Sequence, residues 1–293
     1  MPTDPAIRHR LLLSLRGEKA WGLKSIRRGT IEPAVEMDDE AEPEVQAMPP
    51  PRKSNPAIPP RAAAPAVPAP RESPRVVSLP TEAAFSAPLL STEEKRARLA
   101  AMDEKEVRGC PKCRLCQTRT HTVFGEGDVD AKIFFIGEGP GENEDLTGRP
   151  FVGRAGQLLD KMIVAMGLQR EQVFIANIVK CRPPGNRVPA PDEVAACTPY
   201  LERQLEIIRP RVIVTLGLPS AKYMLGDPKL TMGRIRGTWR SWRGIKLMPT
   251  FHPSYVLRIY TPETRKAVWS DLQQVMKEIG LSAPAGDRFG SKG

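Results

Sequence analysis

The sequence predicts an α/β domain, a parallel sheet covered by helices on both faces, preceded by a disordered proline-rich extension. Short β-favouring apolar runs alternate with helical periodicity beyond about residue 91, the order that right-handed βαβ units produce. About half of the 31 prolines fall in the first hundred residues, where a residue without an N–H and with a fixed φ supports neither helix nor ladder. The remaining stretch, 91–281, is long enough to bury one sizeable core. The expected organisation is a disordered extension at 1–90, a folded domain at 91–281 and a disordered tail at 282–293.

Within the extension, residues 30–90 read as a tether of partly polyproline II character. An acidic patch at 36–44 is followed by Arg52, Lys53, Arg61, Arg71 and Arg75. Nearer the N-terminus, Leu11, Leu12, Leu13, Leu15, Trp21 and Leu23 are interspersed with Arg16, Glu18 and Lys19, too charged for a signal peptide. No stretch approaches the roughly 20 apolar residues of a membrane span. A cytoplasmic monomer without membrane contact is expected. The leucine-rich segment is either an inert tail or a short helix that docks on a protein partner.

The folded part opens at Ser91, which with Glu94 has the form of a capping box. The run KIFFI at 132–136 is the first strand, ending in the loop Gly137-Glu138-Gly139-Pro140-Gly141. A helix follows at 155–166, then a strand-like run at 173–179 containing the polar Asn177. The spacing predicts a helix at 192–208, a strand at 212–216, a small-residue helix from Gly217 to 225, a strand at 246–249 and a closing amphipathic helix at 264–279. Ligands of such sheets bind beyond the carboxyl ends of the strands. The Gly-rich loop, Asn177 and His252 each end or follow a strand, so all three can converge there.

The net charge of +10 and pI near 9.6 suit a polyanionic partner, since each Lys or Arg that neutralises a phosphate releases a counterion. All five cysteines lie in the folded part, at Cys110, Cys113, Cys116, Cys181 and Cys197. Clustered cysteines in a cytosolic chain point to metal or redox chemistry more than to disulfides. Two sequence-distant pairs of thiolates match a structural zinc or a [4Fe–4S] cluster. Spacing does not separate the two. Cys116 extends the first pair to CxxCxxC and either replaces one member or packs as a small buried thiol.

Taken alone, GEGPG lacks both the Lys-Ser/Thr of a P-loop and the spacing of a dinucleotide site. It is not alone. The run GEGPGENEDLTGRPFVGRAGQLLD at 137–160, then NIVKCRPP at 177–184, then Phe251-His252-Pro253-Ser254-Tyr255 closely resemble the family 4, iron–sulfur uracil-DNA glycosylases. The resemblance covers roughly 106–280. It implies a three-layer α/β/α sandwich on a four-stranded parallel sheet, with Cys110, Cys113, Cys181 and Cys197 holding a [4Fe–4S] cluster. It also implies hydrolysis of the N-glycosidic bond of deoxyuridine in DNA, leaving an abasic site and initiating base excision repair.

The chemistry then distributes roles. A flipped uracil must be read at its edge. Asn177 can give its amide N–H to O4 and accept from N3–H, a pattern that cytosine reverses. Phe151 resembles the aromatic that stacks on the base, and His252 stands where the resemblance puts a donor beside O2, able to stabilise charge on the departing uracil. Glu138 and Glu144 are both candidates for positioning water or stabilising the sugar cation. Gly139 stands where the better-known family 1 enzymes carry an aspartate, so their mechanism does not transfer, and its backbone N–H can serve the base instead. Arg182, Arg187 and Arg258 are candidates for DNA phosphates, with 255–257 as a wedge. A covalently trapping sub-branch carries a GEQPG-type loop and a reactive histidine in a basic insertion, whereas this loop is GEGPG and 183–191 hold no histidine. An iron–sulfur nuclease would leave the His-Pro-Ser motif unexplained.

Overall fold

A computed structural model describes residues 85 and 88–282, which lie within the unit 78–293. The readings made for the extension and the tail therefore fall almost wholly outside the described residues. Ser91 caps the first helix, α1 (Thr92–Met102): its hydroxyl accepts from the Glu94 N–H at 3.3 Å, and the Glu94 carboxylate accepts from the Ser91 N–H at 2.8 Å. Phe85, assigned from sequence to the extension, packs its ring 6.1 Å from that of Trp242 and beneath the Arg209 guanidinium.

The elements then follow in order: β1 (Glu126–Gly127), β2 (Ile133–Gly137), α2 (Glu142–Thr147), α3 (Arg154–Ala165), β3 (Phe174–Asn177), α4 (Pro191–Ile208), β4 (Val212–Leu216), α5 (Leu218–Leu225), α6 (Met232–Ile235), β5 (Arg240–Trp242), β6 (Ile245–Thr250), α7 (Pro253–Arg258) and α8 (Pro262–Glu278). The sheet order is β1-β3-β2-β4-β6-β5. β3, β2, β4 and β6 run parallel, while β1 and β5 pair antiparallel at the two edges. The expected four-stranded parallel sheet is thus the centre of a six-stranded mixed sheet. The edge strands leave no signal in the sequence because two and three residues of Glu-Gly and Arg-Ser-Trp carry no apolar run.

Every residue of β2, β3 and β4 is buried, as a parallel sheet covered on both faces requires. Phe134, Ile136, Phe174, Ala176, Ile213 and Leu247 share one core with Leu99 of α1, Leu201 and Leu205 of α4 and Met224 of α5. The alternating residues Ile133, Phe135, Ile175, Val214 and Met248 point the other way and are buried too. Lys95 of α1 ties its layer down, bridging Asp130 at 2.8 Å and the Ile208 carbonyl at the end of α4 at 3.2 Å. No helix among the described residues is long and apolar enough to cross a membrane.

Candidate active site

The carboxyl ends of β2, β3 and β6 meet at a cavity of about 320 Å³ lined by Glu138, Gly139, Glu144, Phe151, Asn177 and His252, among others. Parallel register makes this meeting possible, because Gly137 at the end of β2 stands opposite Asn177 at the end of β3. Gly137 is required there. A β-carbon on it would fall 2.3 Å from Asn177 Oδ1 and 2.5 Å from Phe151 Cζ, filling the space between those two side chains.

Asn177 is almost fully buried and its Oδ1 has no hydrogen-bond partner. Glu138 Oε1 is likewise buried and unpaired, and burial raises the pKa of its carboxyl. Buried polar atoms without partners are rare in folded proteins. Here two such acceptors line one cavity.

Glu144 is engaged differently. Its Oε1 accepts from the backbone N–H groups of Val152 and Gly153, both at 2.8 Å, and its Oε2 from that of Gly141 at 3.1 Å. It ties the Gly-rich loop to the segment carrying Phe151. Phe151 itself is buried with φ at 51°, a left-handed conformation costing a non-glycine residue about 1–3 kcal/mol. Its ring lies 5.7 Å from that of His252.

His252 caps α7, with Nδ1 accepting from the Ser254 N–H at 3.1 Å and the Ser254 hydroxyl 2.7 Å away. An accepting Nδ1 puts the ring proton on Nε2. Burial, helped by the positive charge of Arg258 and opposed by Glu144, lowers its pKa to about 4. The imidazole is therefore a neutral Nε2–H donor. Ser254, of the His-Pro-Ser motif, fixes this tautomer.

Of the three candidate arginines, Arg187 lines the cavity but is spent on the buried Glu193, at 2.8 and 2.6 Å. Arg182 bonds Asn186 at 2.8 Å and stands 3.5 Å from Glu142. Arg258 is exposed at the end of α7. In the expected wedge, Val256 is buried and Tyr255 stacks on Phe251 at 4.8 Å, so the exposed apolar side chains there are Ile259 and Tyr260.

Cys110, Cys113, Cys181 and Cys197 line a second, smaller cavity, from which Cys116 is absent. Cys116 is half-buried, so the small-hydrophobe reading of it does not hold in full. Among the described residues no three His, Cys, Asp or Glu converge as for a single metal ion; the four thiols surround a space. Three of them receive donors: Cys110 from the Tyr200 hydroxyl at 3.3 Å, Cys181 from Arg119 at 3.3 Å and Cys197 from the Lys180 backbone N–H at 3.1 Å. Burial pushes the Cys197 thiol up to about 12 and raises Cys113 and Cys181.

Residues 124–273 match the family model described as the uracil DNA glycosylase superfamily. The type-4 uracil-DNA glycosylase of Thermotoga maritima is 47% identical over 185 residues, covering 63% of this chain and 96% of that protein. The type-4 enzyme of Sulfurisphaera tokodaii is 49% identical over 187 residues, 61% of this chain and 84% of its own. That of Saccharolobus solfataricus is 47% identical over 192 residues, with shares of 63% and 88%.

The protonation state of His252 gives a direct test. Its folded pKa lies below the usual 6.5, so the unfolded chain binds the extra proton first as pH falls. His252 therefore contributes stability above pH 6.5 that is lost on acidification toward pH 4. Nuclear magnetic resonance of the ring nitrogens is expected to show a neutral, Nε2-protonated imidazole from pH 8 down to about pH 5. A ring that charges near pH 6.5 would contradict the geometry.

Proposed function

This chain belongs to the uracil DNA glycosylase superfamily, among its type-4 uracil-DNA glycosylases, and from that premise we propose how its residues hydrolyse the deoxyuridine N-glycosidic bond. The observation that carries the proposal is the pair of buried, unpaired acceptors, Asn177 Oδ1 and Glu138 Oε1, in one cavity.

A uracil that leaves the stack enters this cavity against Phe151. Its N3–H satisfies Asn177 Oδ1 while the Asn177 amide N–H donates to O4, and the Gly139 backbone N–H serves the base edge. Cytosine offers the reverse pattern and leaves Asn177 unsatisfied, a penalty large enough to exclude it.

As the C1′–N1 bond breaks, negative charge gathers on the uracil and positive charge on the sugar. The neutral Nε2–H of His252 donates to O2 as that charge develops, and a neutral donor does not surrender its proton to the leaving group. Glu138, with one oxygen free of partners, holds the attacking water and faces the sugar cation. Glu144 lines the same cavity, and its contribution is to hold Gly141 and the Phe151 segment in register. Arg258, exposed beside His252, meets a DNA phosphate, while Arg182 and Arg187 hold the loop at 182–190.

The donor set fits a [4Fe–4S] cluster. Four thiols from two distant segments surround one cavity, with N–H and O–H donors already aimed at three sulfurs. Cys110, Cys113, Cys181 and Cys197 would hold it; when bound, it supplies a cross-link between the segment at 110–116 and the strand-loop carrying Asn177.

Incubation with a uracil-containing oligonucleotide followed by alkali is expected to break the strand at uracil and nowhere else. Glu138→Gln and His252→Ala should each slow single-turnover excision by roughly 10- to 1000-fold, with affinity for an uncleavable uracil analogue changed only a few-fold. Excision by His252→Ala at the unmodified rate would remove the anion-stabilising role. For the cysteines, anaerobic protein is expected to be brown with about four iron and four sulfide per chain. Alanine at any of the four ligands should abolish the colour and Cys116→Ala should keep it; colourless protein with one zinc contradicts the cluster.

A further inference from the structure

We propose that Arg170 is the positioning residue that fixes the base-stacking face of the pocket, a role that rests on the glycosylase reading above. Phe151 is buried in a left-handed backbone conformation that persists only where its surroundings impose it. Arg170 imposes it from the carbonyl side. Its Nη1 donates to the Phe151 carbonyl at 3.2 Å and its Nη2 donates to the Pro150 carbonyl. The N–H groups that follow, on Val152 and Gly153, are taken by Glu144. The first turn of α3 closes the remaining direction, since a β-carbon on Gly156 would stand 1.8 Å from the Phe151 oxygen.

Arg170 is itself locked. Its Nε donates to Glu126 Oε1 at 2.7 Å and its Nη1 to Asp160 Oδ1 at 2.6 Å, with the side chain 13% exposed. Arg149 holds the second Glu126 oxygen at 2.8 Å. The two-residue edge strand β1 thereby has a task, which is to present Glu126 to this guanidinium. Only a planar fork with five donors reaches two carboxylates and two carbonyls at once; lysine has a single nitrogen.

The test uses the full-length, cluster-loaded protein with Arg170→Lys, Phe151→Ala and the double variant. Inhibition by free uracil reports the stacking face, and affinity for an abasic-site duplex reports DNA binding without a base to stack. Arg170→Lys should weaken uracil inhibition at least about tenfold while abasic-duplex affinity stays within about two-fold, and adding it to Phe151→Ala should cost nothing further, as for residues acting through one contact. Unaltered uracil inhibition, a loss that multiplies with that of Phe151→Ala, or an equal loss of abasic-duplex affinity overturns the proposal. Should Arg170→Lys not fold, Asp160→Asn loosens the same guanidinium: weakened uracil inhibition supports the role and unaltered inhibition overturns it. An unmodified protein that neither excises uracil nor is inhibited by it sinks the glycosylase reading itself, whereas an active protein with an indifferent Arg170→Lys sinks only this one.

Discussion

The amide oxygen of Asn177 lies inside the protein without a hydrogen-bond partner, a state that costs about 1–3 kcal/mol until a donor arrives. Much of the surrounding structure maintains it. Parallel pairing sets Asn177 opposite Gly137, and the missing side chain of Gly137 leaves open the space that a β-carbon would fill between Asn177 and Phe151. Glu144 and the His252 cap then set two walls of that gap by accepting backbone N–H groups. None of these groups satisfies the Asn177 oxygen.

The same strand end connects this pocket to the cysteine cavity. Lys180 is wholly buried, its Nζ donating to the Asn177 carbonyl at 3.0 Å and to Gln204 at 2.6 Å. Its backbone N–H meets Cys197 Sγ, and Cys181 is the next residue. Burial lowers its pKa to about 8, and two oxygen acceptors offset part of the cost of enclosing the ammonium. Five consecutive residues, 177–181, therefore carry both the proposed reader of the base and a proposed ligand of the cluster.

What the sequence made legible follows from signal strength. The run 133–136 is wholly apolar and 212–216 is apolar except for Thr215, and the helices at 154–165 and 191–208 repeat apolar residues at helical spacing, so the parallel centre and its two layers could be read directly. That the Gly-rich loop, Asn177 and His252 meet at one cavity was legible because strand ends gather them. Short elements were not: β1, β5 and α6 have two to four residues and no periodicity. Side-chain division of labour was not legible either. Glu138 and Glu144 are equivalent on paper, and the structure distinguishes them: three N–H groups converge on Glu144, while Glu138 Oε1 is buried without a partner. Phe85, isolated in proline-rich sequence, shows its place only through Trp242 and Arg209.

Discrimination of uracil from cytosine rests on Asn177 in the proposed mechanism. The most direct measurement compares single-turnover excision of uracil and cytosine from otherwise identical duplexes by the unmodified protein and by Asn177→Asp. The unmodified protein should release uracil and leave cytosine. The variant, which replaces the amide donor with an acceptor, should lose at least about 100-fold on uracil, the scale expected when a designed hydrogen bond is left unmade, and with it most of the discrimination. Uracil excision by Asn177→Asp at the unmodified rate, with cytosine still refused, would contradict the account.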